Sequence, residues 1–295
     1  MAPVPDSILL THSDLDGIGC AVLFAGAVPQ AGPAISVENG AIDDAVTDAL
    51  ERRIDDAPAH EVLVTDHGIA EETAALVDRF TTSGGRFLLL DHHRSSAHLA
   101  GRSWATIDES HCATGLLFRH LGGPERFAPF VALVEDHDLW RHRDARSAQL
   151  SSLLGLLGAQ RFQARFASDP AVDLREAERL LLEVEDDRRE AYLRRKSTQA
   201  LLRDIGGTPW AMCYAESYQS ELAERLMVRF GVAATAIVNP SKRTVSLRGR
   251  AVDVAQIAER QGGGGHARAA AFSFRDRSPE LDLERFETAL VDLLG

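Results

Sequence analysis

Four short segments of this chain combine aspartate and histidine at spacings that suit metal chemistry: His12-Ser13-Asp14-Leu15-Asp16-Gly17, Asp66-His67-Gly68, Asp91-His92-His93 and Glu135-Asp136-His137-Asp138. Asp14 and Asp16 stand two apart, so in an extended segment their side chains share one side, and His12 continues the same row. If these groups met Asp66, Asp91, His92, His93 and Asp136 in a partly buried crevice, the carboxylates would repel one another. Their pKa values would rise unless a cation neutralised them. A divalent metal answers that requirement. A pure oxygen cage favours magnesium or calcium, whereas mixed imidazole and carboxylate ligands suit manganese, with cobalt, iron or zinc as competitors. Manganese is therefore the expected ion, with Mg2+ and Co2+ as substitutes. Six or so ligands exceed what one catalytic ion needs. They fit two ions about 3.5–4 Å apart that share a carboxylate, activate a water and clamp a phosphoryl group for in-line attack. The implied reaction is phosphoester hydrolysis.

Each segment alone has a plain alternative: Asp-Gly after a strand is most often a turn, and Asp-His-His can open a helix. Placement along the chain changes the balance. SILLT (Ser7–Thr11), EVLVT (Glu61–Thr65) and RFLLL (Arg86–Leu90) read as short buried strands, and each runs directly into one of the clusters. Helical stretches follow the first two, IGCAVLFAGAV and EETAALVDRFTTSGG. Strands alternating with helices predict an α/β fold with a parallel sheet and right-handed crossovers. In such a sheet the carboxyl ends of the strands share one edge, and ligands bind in the crevice outside it. Three clusters distant in sequence should therefore meet in space. The fourth follows the apolar run Phe127–Val134; Asp136 and Asp138 could both reach a metal if that segment is extended, and Asp136 is the favoured ligand. His120, His137 and His142 lack such placement and read as surface or structural residues.

The chain has 295 residues, 45% hydrophobic and 26% charged, which excludes a disordered or collagen-like protein and favours two domains. From Asp173 to about Asp204 there is neither Gly nor Pro, which predicts a long connecting helix ended by Gly206-Gly207. Beyond it come a strand (Trp210–Tyr214), a helix (Ser220–Phe230), two strands (Ala233–Val238 and Thr244–Arg248), a helix (Asp253–Gln261) and the run Gly262–Gly265. The expected organisation is a catalytic parallel-sheet domain over 1–165, a helical linker over 166–206 and a smaller α/β substrate-binding domain over 207–295. Thirty-two basic against 44 acidic residues give a net charge of −12, which disfavours long duplex nucleic acid as a partner. Three scattered cysteines, Cys20, Cys112 and Cys213, suggest small core residues rather than disulfides. No apolar stretch nears the roughly 18 residues of a membrane span, and MAPVPDSILLTHSD lacks a basic leader, so no membrane partner and a cytoplasmic location are expected.

Four consecutive glycines alone often mark a flexible linker. Here they sit between a helix and a strand. Backbone N–H groups at Gly263, Gly264 and Gly265 can approach an anion closely, and His266 and Arg268 add donors, so a phosphate cradle is expected. Lys242, Arg243, Arg248 and Arg250 form a local basic cluster suited to a few phosphates, and an arginine fork matches phosphate well.

The motifs HSDLDG, TDHG, LLLDHH and VEDHDLW, in that order, resemble those of the DHH phosphoesterase family, and GGGGHARAAA is similar to the glycine-rich motif of its associated C-terminal domain. The resemblance runs from His12 to Ala271. HSDLDGIGC, Ala113-Thr114-Gly115 and the Asp-Leu-Trp ending are most similar to the nano-RNase (oligoribonuclease) and cyclic-nucleotide phosphodiesterase branch. The resemblance implies that His12 and Asp14 hold one metal, that Asp66 bridges both ions, and that Asp16, His92 and Asp136 hold the second. It implies that His93 faces the scissile phosphate and that Asp91 orients an imidazole as such carboxylates do. Arg248 matches a phosphate-binding arginine. The implied substrates are short oligonucleotides or nucleotides: dinucleotides, linear products of cyclic dinucleotides, and cyclic nucleotides, held between the domains. The competing readings are a phosphatase acting on adenosine 3′,5′-bisphosphate and a non-catalytic nucleotide sensor. A homodimer is left as an open option.

Overall fold

The computed structural model describes residues 7–38, 40–54 and 61–274; the opening residues 1–6, on which the reading of the N-terminal leader partly rests, lie outside them. The chain divides into two compact units, Met1–Leu182 and Glu183–Gly295. The first begins with β1 (Ile8–Thr11), α1 (Leu15–Ala27), β2 (Ala34–Ser36), α2 (Ile42–Ile54), β3 (Glu61–Thr65), α3 (Glu71–Thr82) and β4 (Arg86–Asp91). It continues with β5 (Ala105–Ile107), α4 (Ala113–His120), α5 (Ala128–Asp138), α6 (Ala145–Leu157) and α7 (Ala159–Ser168). The five strands form one sheet in the order β2-β1-β3-β4-β5, with every neighbouring pair parallel.

β1 and β3 are buried along their whole length, as expected of strands covered on both faces. Leu9, Leu63 and Leu90 point into a core shared with α1, α4, α5, α6 and α7. Their neighbours Ile8, Leu10, Val62, Val64 and Leu89 face the opposite side, against α2 and α3. The strand alternation therefore feeds two cores, and the common carboxyl edge of β1, β3 and β4 carries the polar residues. No helix among the described residues is long and apolar enough to cross a membrane. All three cysteines are buried and free.

Two local expectations are corrected. The apolar run before the fourth cluster is not part of an extended segment: it lies in α5, where Pro129 occupies the first helical turn and needs no N–H partner there. The long helix predicted to end at Gly206-Gly207 is α8 (Glu176–Ser197), which stops seven residues before Asp204. Leu201–Ile205 forms β6, joined to β7 (Thr208–Tyr214) as an antiparallel hairpin. Both glycines of its two-residue turn have positive φ, 59° and 79°, which is the primed turn geometry that hairpins favour.

The second unit then adds α9 (Gln219–Phe230), β8 (Ala234–Asn239), β9 (Thr244–Gly249), α10 (Val254–Arg260), β10 (Gly264–His266) and β11 (Ala269–Ser273). Its sheet runs β10-β11-β9-β8-β7-β6, and only β7 and β8 are parallel. The glycine run is therefore not a linker. It leads from α10 into the edge hairpin β10–β11, where a Cβ on Gly263 would overlap the Ala271 carbonyl oxygen.

Candidate metal centre

The chain leaves β1 at Thr11 and turns into α1 within three residues. Asp14 caps that helix by accepting from the Gly17 N–H at 3.1 Å, one of the first-turn donors without an intrahelical partner. The Thr11 hydroxyl donates to the Gly17 carbonyl at 3.0 Å and accepts from Thr65 Oγ1 at 2.8 Å, tying the ends of β1 and β3 together. Gly17 is required here because a Cβ would overlap the His12 carbonyl oxygen.

Asp16, in the first turn of α1, is buried. Its carboxylate accepts from the Ala113 N–H at 2.7 Å and the Thr114 N–H at 2.8 Å, at the N-terminus of α4. The Thr114 hydroxyl donates to the Asp16 carbonyl at 2.6 Å. Burial raises the Asp16 pKa, and these donors oppose that rise; a helix N-terminus suits a carboxylate. The Ala113-Thr114-Gly115 segment thus has a definite task, which is to aim Asp16.

Asp66 follows β3 with φ +59°, in the left-handed region. It is 3% exposed. Its Oδ2 lies 3.8 Å from His12 Nδ1, and its Oδ1 lies 3.5 Å from His92 Nε2. Two groups of close ligand atoms result, His12 with Asp14 and Asp66, and Asp16 with His92 and Asp138; Asp66 and His92 also group with His93. In the first group His12 Nδ1 is 3.0 Å from Asp14 Oδ2. In the second, His92 Nε2 is 3.7 Å from Asp16 Oδ2 and 3.5 Å from Asp138 Oδ2.

Asp138 occupies the place expected for Asp136. In a helix, residues two apart project to nearly opposite sides, so only one of the pair can face the crevice. Asp136 faces away: its Oδ1 accepts from the Arg143 N–H at 2.9 Å and its Oδ2 from the Asp144 N–H at 3.3 Å. Those donors hold its pKa down.

Asp91 is buried at the end of β4, and its carboxylate accepts from His93 Nδ1 at 2.8 Å and from the Ser96 hydroxyl. Burial would push the Asp91 carboxyl up, but these two donors outweigh it and the pKa is lowered. The same hydrogen bond raises the pKa of His93. With Nδ1–H given to Asp91, the half-exposed ring of His93 keeps Nε2 for another partner. Gly68 leaves room for Ser96, whose hydroxyl a Cβ at that position would overlap. His67, which was not singled out, is buried against His12, with ring centroids 5.1 Å apart and Nε2 3.0 Å from the Val37 carbonyl oxygen.

The electrostatics call for a cation. Burial, then Asp16 and Asp14, push the Asp66 carboxyl up to about 11. Burial and the same two neighbours push Asp138 up to about 7. Asp66 Oδ2, His92 Nε2 and Asp138 Oδ2 are buried without a hydrogen-bond partner. Unpartnered buried acceptors are costly, and three of them aimed into one crevice fit a divalent ion. Their mixture of nitrogen and oxygen donors suits a first-row transition metal.

In the second unit Arg248 lies on β9, opposite Ala269 of β11, which in turn lies opposite His266 of β10. Opposed residues on neighbouring antiparallel strands share a sheet face, so His266 and Arg248 stand on one face with a small alanine between them. Arg248 Nη2 donates to Ser220 Oγ at 2.8 Å. Gly263, Gly264, Gly265 and Arg268 are exposed around the same hairpin.

A family model described as the DHHA1 domain matches residues 218–294. The chain is 30% identical over 299 residues to oligoribonuclease NrnB of Bacillus subtilis (strain 168), an alignment that covers 92% of this chain and 74% of that protein. Among solved structures, the pGpG-specific phosphodiesterase PggH from Vibrio cholerae superposes with a TM-score of 0.58 at 14% identity, covering 98% of this chain and 99% of that one. Exonuclease RecJ bound to manganese superposes with a TM-score of 0.51 at 17% identity, covering 97% and 90%. At such identities the two solved structures speak for the fold.

Proposed function

The chain belongs to the DHH family of hydrolytic phosphoesterases, and from that premise we propose that it hydrolyses very short oligoribonucleotides in the cytoplasm to nucleoside monophosphates, using two manganese ions. The observation that carries this reading is the pair of ligand groups at the carboxyl edge of the first sheet, His12–Asp14–Asp66 and Asp16–His92–Asp138, linked by the 3.5 Å approach of Asp66 Oδ1 to His92 Nε2. His12, Asp14 and Asp66 would hold one ion; Asp16, His92 and Asp138, with Asp66, would hold the second. Ions at these positions supply Lewis-acid polarisation of water and of a phosphoryl group.

The protein's own groups do the rest. The α4 N-terminus opposes the rise in the Asp16 pKa and aims its carboxylate. Asp91 holds His93 with Nδ1–H inward and its pKa raised, so Nε2–H can donate to a phosphoryl oxygen or to the leaving oxygen. Arg248, His266 and the backbone of Gly263–Gly265 would bind a further phosphate or the end of the substrate, a task suited to an arginine fork beside a glycine-rich edge. The substrate length is supported by the relatives' own names, an oligoribonuclease and a pGpG-specific phosphodiesterase, and by the net charge of −12, which disfavours long polyanions.

The test is a panel of dinucleotides, linear dinucleotide products of cyclic dinucleotides, cyclic nucleotides, adenosine 3′,5′-bisphosphate and a 24-nucleotide RNA, incubated with purified protein and Mn2+. Release of monophosphates from dinucleotides, including the linear products of cyclic dinucleotides, well ahead of every other substrate is expected. Preferential turnover of the bisphosphate would make the protein a phosphatase instead, and no turnover of any substrate would make it a binding protein.

A further inference from the structure

Trp140 is 76% exposed, the largest exposure of any large apolar side chain among the described residues, whereas Trp104 and Trp210 are 5% and 2% exposed. Most of the indole's apolar surface is thus open to a partner, and its ring offers a flat face for stacking. Its backbone is unusual too. Trp140 and His142 both adopt left-handed conformations, with φ +55° and +49°, which bulky residues rarely take unless the surroundings impose them.

Asp136 ties down the turn that follows. Its carbonyl oxygen accepts from the N–H groups of Arg141 at 3.0 Å and His142 at 3.4 Å, and its carboxylate accepts from Arg143 and Asp144. One aspartate thus clamps four consecutive backbone donors. The clamped loop presents the indole with the His142 ring edge-on against it, centroids 4.4 Å apart and planes at 77°. The loop begins directly after Asp138, whose carboxylate faces the metal-ligand cluster, and the Trp140 N–H bonds back to the His137 carbonyl at 3.1 Å. Asp138 Oδ2 lies 3.5 Å from His92 Nε2 and Trp140 follows two residues later, so the loop starts at the edge of the crevice.

Building on the hydrolase reading, we propose that Trp140, braced by His142, is a stacking platform for a nucleobase of the substrate, purine in preference to pyrimidine, and that Asp136 is its positioning residue. Every base offers a π-face, and a rigid exposed indole is a suitable surface for it. The purine preference follows from the larger area of the bicyclic base.

Intrinsic fluorescence and kinetics test this together. With Mg2+ present, guanosine 5′-monophosphate is expected to quench the exposed tryptophan, and ribose 5-phosphate, which lacks the base, to leave it bright. Trp140→Phe should remove the quench. Trp140→Ala should raise KM for diguanosine at least tenfold with a smaller effect on kcat, and should lower kcat/KM for diguanosine relative to a base-free aryl phosphodiester by a similar factor. Trp140→Phe should restore most of that loss. An unchanged KM in Trp140→Ala, equal quenching by ribose 5-phosphate, or a loss that Phe does not rescue and that tracks a lowered Tm would each overturn the platform. Dinucleotide turnover by the wild type tests the hydrolase reading separately. Quenching by the nucleotide without any turnover would keep the platform and remove the reaction.

Discussion

Asp66→Asn should make the metal-free protein more stable while removing its response to metal. In the absence of cations, Asp66 is held protonated, with a pKa pushed up to about 11 by burial and by the Asp16 and Asp14 charges. In the unfolded chain it ionises near 3.9. Between those values the native state binds one proton more than the unfolded state, so stability falls as pH rises, by about 1.4 kcal/mol per pH unit. From pH 5 to 7 the loss attributable to this residue is ~2.7 kcal/mol, an upper figure because the crevice can relax and admit water. Asparagine keeps the shape and removes the titration, so the variant's stability should be flatter over that window by up to this amount. Urea unfolding of EDTA-treated protein at pH 5, 6 and 7 measures it. In the wild type, Mn2+ at 100 times its Kd should restore ~2.7 kcal/mol; in Asp66→Asn that gain should largely vanish, together with hydrolysis. Parallel pH dependence in the two proteins, or an undiminished metal effect in the variant, would show that Asp66 is not the shared, cation-demanding carboxylate.

The choice between the two aspartates of α5 is tested by separating metal affinity from loop order. Asp138→Asn should weaken Mn2+ binding in calorimetry and cut turnover at least 100-fold, while Asp136→Ala should retain metal binding and lower stability by about 1–3 kcal/mol through its unsatisfied loop donors. Asp91→Asn removes the carboxylate charge and so weakens the interaction that raises the pKa of His93. The alkaline limb of the pH–rate profile should therefore move to lower pH, and an unmoved limb would exclude protonated His93 as the donor.

Much of the site was legible because parallel strands make a simple rule: where a short buried run ends in Asp or His, the side chain lands on the common edge. SILLT, EVLVT and RFLLL obeyed it, and their clusters came together at the ends of β1, β3 and β4. The fourth cluster did not follow the rule because Phe127–Val134 is apolar without a resolvable period, and such runs suit a buried helix as well as a strand. Once α5 is helical, the two-residue spacing forces a choice between Asp136 and Asp138 that an extended segment leaves open. The sequence extends α8 too far for a related reason: Leu201, Leu202, Arg203 and Asp204 do not break a helix by composition, and only pairing with Thr208–Tyr214 draws them into a strand. The Thr114 and Ser96 contacts join residues that are far apart or separated by a turn, and no local pattern announces them. The row formed by His266, Ala269 and Arg248 became visible only with the strand register.

The seven residues of the three ligand groups are drawn from positions 12 to 138, and the last of them arrives on α5, after all five strands of its sheet. Pairing parallel strands requires long crossovers to close first, which makes such a sheet slow to assemble. A nascent or truncated chain that has not yet docked α5 lacks Asp138 and so holds an incomplete ligand set. On the proposed reading the hydrolytic centre is complete only once α5 has packed, so a half-made copy would carry an unfinished site.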